Sequence, residues 1–185
     1  AGGAAFMGNV DSHVSKQANL LASGIRLANQ AIFEAAASNP SWQGMGTTIV
    51  AVLLKDGCAG IAHAGDSRLY LLRGGQIRQV TGDHSLVAEQ VRQGIITEEE
   101  AQKSTRKNVI TRALGQWEDL DIEMQDLELL EGDQLLLCSD GFPECLDPKD
   151  RMLGYDRMAP IFQRHARLAP EALLDETAHL LLDDP

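Results

Sequence analysis

The sequence predicts a single α+β domain of antiparallel strands covered by helices. Three observations carry this. Strand-like runs return on themselves through the two-residue turns Asp56-Gly57 and Gly74-Gly75, too short to hold a crossover helix. A long helix with an apolar stripe precedes them, and two amphipathic segments close the chain. The 185 residues are 44% hydrophobic and 23% charged, enough apolar material for one core and too much for a disordered chain.

The elements follow in order. Asp11 or Ser12 can cap a helix that runs to about Ser38, where Val14, Ala18, Leu21, Ile25, Ala28 and Ile32 recur at steps of three and four. Asn39-Pro40 ends it, because proline drives the residue before it out of helical geometry. Residues 47–55 are β-branched and apolar and read as a buried strand. Residues 58–64 are its return strand, Gly65-Asp66 breaks the run, and 68–72 and 76–80 form a further hairpin, giving a four-stranded meander. Residues 85–93 read as a helix closed by Gly94. Thr97-Glu98-Glu99-Glu100 opens another, with Thr97 capping and carboxylates in the first turn. This polar stretch reads as an inserted flap. Residues 122–130 and 134–139 are read as a second strand pair around Glu131-Gly132-Asp133. Helices over 155–167 and 170–182 complete the chain, the last with Pro170 at its first position.

Charge narrows the function. The net charge of −11, from 27 acidic and 16 basic residues, repels nucleic-acid backbones and anionic membrane surfaces. An anionic substrate therefore needs local help such as a metal ion. No apolar run approaches the roughly 20 residues that span a bilayer. Three cysteines at irregular spacing, with no Cys-x-x-Cys, point to free thiols in a reducing, cytoplasmic setting.

Three segments invite chemistry. The apolar run Leu135-Leu136-Leu137-Cys138 delivers Asp140, and Gly141 follows at once. A carboxylate there can ligate a hard cation, or can simply close an Asp-Gly turn. In Ala64-Gly65-Asp66-Ser67-Arg68 a bend with an internal aspartate bond is the simpler reading. In Thr81-Gly82-Asp83-His84-Ser85, Asp83 can cap the next helix or ligate a metal. His84 invites a general-base role, but the sequence shows it no partner. There is no Gly-x-Ser-x-Gly elbow, no phosphate-binding Gly-Lys-Ser/Thr loop, no His-Glu-x-x-His, and no zinc-like histidine spacing.

Taken in order, six segments resemble one family. They are Gly46-Thr47-Thr48, the stretch 63–70, Thr81-Gly82-Asp83-His84-Ser85, the stretch 94–101, the stretch 108–115, and Gly132-Asp133 with 135–141. Together they are similar to the bacterial branch of the metal-dependent serine/threonine protein phosphatases of type 2C, over about residues 44–142. The resemblance implies an α-β-β-α architecture, an antiparallel β-sandwich flanked by helices on both faces, with a flap at 85–115. It implies two or three Mn²⁺ or Mg²⁺ ions and in-line attack on a phosphoester by a water bridging two of them. Asp140 matches a metal-ligating aspartate, and Asp83 matches the position that joins it at a third, weaker metal site. Ile96, Thr97, Asn108, Thr111 and Arg112 fall in the substrate flap. Asp66 and Arg68 match a motif that shapes the sheet.

Ala1-Gly2-Gly3 resembles the end of the family's Asp-Gly-x-Gly-Gly motif. The chain is accordingly expected to be a piece of the family's domain, with further ligands before Ala1 and after Pro185. The substrates implied are phosphoserine and phosphothreonine proteins, the targets of a cognate kinase. Residues 140–145 and 153–158 also resemble related phosphatases that act on anti-anti-sigma stress regulators. A non-catalytic relative that only binds a partner is the alternative of another class.

Overall fold

The first long helix, α1 (Lys16–Ser38), starts later than its apolar spacing suggests. The cap is Ser15, whose side chain accepts from the Ala18 N–H at 3.2 Å. Asp11 instead accepts from the His13 N–H, and the buried Asn19 amide donates to the Asp11 carbonyl at 2.9 Å. The turn before the helix is thus bonded to its first turn rather than absorbed by it. Asn39 ends α1 and caps the short 3₁₀ turn Pro40–Trp42.

The computed structural model describes residues 7–145 and ten later positions: Leu153, Gly154, Arg157, Pro160, Phe162, Arg164, Glu171, Ala172, Asp175 and Ala178. The helices expected over 155–167 and 170–182 lie largely outside the described residues, as does Ala1-Gly2-Gly3; described positions such as Arg157, Phe162 and Ala172 are helical. The chain forms two units, Ala1–Ser67 with Gly82–Leu129, and Arg68–Thr81 with Leu130–Pro185.

The first unit holds α1 and the strands β1 (Ile49–Lys55) and β2 (Cys58–Ala64). Asp56 and Gly57 join the strands with positive φ of 51° and 74°, the turn that matches strand twist. Here the chain departs from a meander. After Ala64 it leaves the sheet, and the third strand of this sheet is β5 (Glu123–Glu128), in the order β1-β2-β5. β1 is therefore an edge strand whose far end is exposed, not a buried one. The central β2 alternates. Ala62 and Ala64 pack with Ala22 and Ile25 of α1 and with Leu114 and Ile122, while Ala59, Ile61 and His63 point the other way, also buried. Each fully buried Ile or Leu side chain contributes roughly 1.5–3 kcal/mol. A side chain at Gly60 would strike the backbone of Ala18, so glycine is what lets α1 lie on the strand. The antiparallel register sets His63 opposite Glu123.

The same unit carries α2 (Leu86–Arg92), capped by Ser85, and α3 (Glu98–Lys103). Thr97 and Glu100 form the capping box that the sequence announces. The Thr97 N–H donates to Glu100 at 2.8 Å and lowers the Glu100 pKa.

The second unit holds β3 (Arg68–Arg73), β4 (Gln76–Gln79) and β6 (Gln134–Cys138), ordered β4-β3-β6. β5 and β6 are thus not a strand pair, since each joins a different sheet. Tyr70, Leu72, Ile77, Leu153 and Phe162 form its core, with Leu136, Cys138 and Phe142 against them. Arg73 clasps Asp133 with two bonds, 2.9 and 2.6 Å, and holds that carboxyl below its usual range. The α+β class with antiparallel sheets holds. Among the described residues, no helix is long and apolar enough to cross a membrane. Cys58, Cys138 and Cys145 are free thiols, and burial raises the pKa of the last two, so neither is an activated nucleophile.

Candidate functional site

The chain leaves the first unit after Ser67 and returns to it at Gly82. Gly65 sits at the exit with a φ of 113°, and a side chain there would overlap Thr48, so both conformation and space demand glycine. Its two backbone groups are both taken by His84. The His84 N–H donates to the Gly65 carbonyl at 3.0 Å, and the Gly65 N–H donates to His84 Nδ1 at 3.1 Å. Nδ1 is therefore an acceptor, and the neutral ring carries its proton on Nε2. Nε2 donates to Glu123 Oε2 at 3.1 Å, and this bond holds the Glu123 carboxyl below its usual pKa. Arg112 Nη1 lies 3.2 Å from the same nitrogen, adding positive charge beside Glu123, while Nη2 pairs with Asp121 at 3.0 Å.

His63 lies flat against His84, with ring centroids 4.7 Å apart and planes within 5°. Its Nε2–H donates to the Gly82 carbonyl at 3.0 Å. Its Nδ1 has no hydrogen-bond partner among the described residues. Burial is the chief cause of its lowered pKa, with His84 and Arg112 adding to it, so the ring is neutral near pH 7. His84, without a partner in the sequence, thus has three side-chain neighbours, His63, Glu123 and Arg112. Sequence reasoning missed His63 and Glu123 because only strand register brings them beside His84.

His63, His84 and Glu123 offer ligand atoms within 4.8 Å of one another. The geometry argues against a cation there. A metal lies in the plane of the imidazole that binds it, and stacked parallel rings send their lone pairs along parallel lines. Both His84 nitrogens are occupied, and a guanidinium stands alongside. The trio is a hydrogen-bonded pin.

Asp83 lies between the two bonded residues Gly82 and His84 and is half-buried, and Arg92 donates to its carbonyl at 3.3 Å. It is not the helix cap, which is Ser85. Asp140 belongs to the second unit, exposed in the turn after β6, where its carbonyl accepts from the Glu144 N–H at 2.9 Å. At Gly141 an added Cβ would meet, among the described residues, only the Ser139 hydroxyl, at ordinary contact distance. Both aspartates offer hard oxygen donors, the chemistry that suits Mg²⁺ or Mn²⁺.

The flap residues divide. Thr97 caps α3. Thr111 ties the base of the segment, its N–H donating to the His84 carbonyl at 2.8 Å and its hydroxyl to Glu89 at 2.6 Å. Arg112 joins the His84 cluster. Asn108 is exposed and Ile96 half-buried. A bridge between Ser85 and Ile110 closes the segment at its base.

Protein phosphatase PhpP of Streptococcus pneumoniae is 40% identical over 117 residues, covering 63% of this chain and 47% of that protein. A crystal structure of a bacterial serine phosphatase superposes with a TM-score of 0.77 at 29% identity, covering 95% of this chain and 67% of the other. The catalytic domain of the serine/threonine protein phosphatase PstP, solved with two manganese ions, gives 0.68 at 35% identity, covering 90% and 63%. The chain spans about half the length of the curated relatives it matches. These likenesses define the class, an α+β domain of the PP2C type. The profile described as Stage II sporulation protein E (SpoIIE) matches residues 2–184, and the chain belongs to that family.

Proposed function

We propose that this chain is part of a divalent-metal-dependent phosphatase that removes phosphate from serine and threonine of proteins in the cytoplasm, the targets of a cognate kinase. The observation that carries this is the likeness, along most of the chain, to a phosphatase catalytic domain solved with manganese. Asp140 would be a principal ligand of Mn²⁺ or Mg²⁺, and Asp83 a ligand of a weaker, additional ion. A bound cation supplies charge neutralisation for the phosphate and an activated water for in-line attack. The residues do the rest. Asp140 stands exposed just past the end of an apolar strand. Asp83 sits in a backbone fixed on both sides. With a net charge of −11, the protein reaches a phosphate only where carboxylates have first gathered cations. Residues 85–115 act as the flap beside the site, with Ile96 and Asn108 free to face a substrate and Thr111 and Arg112 anchoring its base.

A second reading, a phosphatase dedicated to one small regulator of the anti-anti-sigma type, draws on residues 140–145 and 153–158. One panel separates the two. The full-length gene product is offered phosphoserine and phosphothreonine peptides and phosphorylated regulators, with Mn²⁺ and with chelator. Metal-dependent turnover of many peptides supports the broad phosphatase. Turnover of one regulator alone supports the second reading. Inert but folded protein refutes both and leaves a binding module.

A further inference from the structure

We propose that His63 and His84 are positioning residues that fix Asp83 for cation binding; this rests on the reading of Asp83 as a ligand. The peptide before Asp83 is held by the His63 ring, and the peptide after it by Gly65, which the His84 ring in turn holds. The Gly82 carbonyl accepts from His63 Nε2 at 3.0 Å. The His84 N–H is spent on Gly65, and the His84 ring takes the Gly65 N–H in return. The rings stack in parallel, so neither turns without displacing the other. Glu123 holds His84 from the neighbouring strand, and the register that sets it opposite His63 makes the pin part of the sheet. Both rings are fully buried and neither is exposed for chemistry of its own. An aspartate bracketed in this way loses little freedom when it takes up an ion, which is how groups outside the ligand shell tune metal affinity.

The test uses the full-length gene product, the single variants His63→Leu, His63→Gln and Asp83→Asn, and the double variant His63→Leu with Asp83→Asn. Glutamine can carry its amide nitrogen to the place of His63 Nε2, whereas leucine fills the space without a donor. Mn²⁺ affinity is read by isothermal titration and by the Mn²⁺ dependence of turnover, and melting temperature is read alongside. The expected result is a loss of about ten-fold in affinity at the weaker site for His63→Leu, largely restored in His63→Gln. The shift should vanish when Asp83→Asn is already present. A side chain that serves only stability would lower the melting temperature equally in both backgrounds and leave Mn²⁺ affinity alone, and that result overturns the proposal. If Asp83→Asn changes affinity and His63→Leu does not, the positioning role alone fails. If Asp83→Asn changes nothing, the ligand reading of Asp83 fails and the proposal falls with it. Should His63→Leu not fold, His63→Asn, polar but too short to reach Gly82, takes its place with the same outcomes.

Discussion

Asp83 and Asp140 are two carboxylates proposed for one chemistry, and the chain places them by different means. Asp140 follows an apolar strand paired to β3, and a local turn through Phe142 and Glu144 presents it to solvent. Asp83 lies in an extended loop with no strand of its own, and its neighbours are fastened by histidines that come from, or bond to, a distant hairpin. A strand end positions a ligand cheaply from local sequence. A loop needs partners recruited by tertiary structure, and that makes it sensitive to residues far away in sequence.

The largest effect should come at Asp140. Asp140→Ala in the full-length protein should nearly abolish metal-dependent hydrolysis of phosphopeptides, while Asp83→Ala lowers turnover and leaves a measurable remainder. Equal losses in initial-rate assays would erase the distinction drawn between the two sites.

Next comes the anchor of the Asp83 loop. Gly65→Ala forces a side chain onto Thr48 at a φ of 113° and removes slack from the residue that receives His84, so it should cost at least about 2 kcal/mol. Urea unfolding followed by circular dichroism measures this. A cost within experimental error would show that the loop relaxes freely and that the pin is not rigid.

Acid should separate the contributions of His63 and Asp133 by pH window. The pKa of His63 in the fold lies below its ordinary value of 6.5. The unfolded chain therefore binds the extra proton first, and this contribution, present above 6.5, is lost as pH falls from there to the lowered value. In the second unit the lowered pKa of Asp133 is stabilising above its ordinary 3.8 and is lost only as pH falls below that, through the folded value. Melting curves from pH 8 to 3 should show the first slope vanish in His63→Leu and persist in Asp133→Asn. The smallest effect is that of Asp133→Asn itself at neutral pH. It should cost about 1 kcal/mol, because asparagine keeps an oxygen for Arg73, whose side chain is 38% exposed although that of Asp133 is buried.

The same contrast explains what could be read in the sequence. Turn chemistry at Asp56-Gly57, the Thr97-Glu100 capping box and the apolar run ending at Asp140 are local, and each appears where its residues say it should. Strand pairing is not local. The hairpins at 49–64 and 68–79 look alike in sequence and belong to different sheets, and β5 and β6, close in the chain, never pair. The Ser15 cap was hidden because Asp11 and Ser12 offer the same chemistry a few residues earlier, and only the bonding of Asp11 to Asn19 selects between them. His84 looked solitary because its partners, His63, Arg112 and Glu123, are assembled by the strand register and by the base of the flap.

The most direct test of the account is a Mn²⁺ titration of phosphothreonine-peptide hydrolysis by the full-length protein and by its Asp140→Ala variant, with circular dichroism confirming that both are folded. The account predicts turnover that rises with Mn²⁺, disappears in chelator, and is almost absent in the variant at every metal concentration. Hydrolysis that survives chelation, or an Asp140→Ala protein that titrates like the wild type, would contradict it.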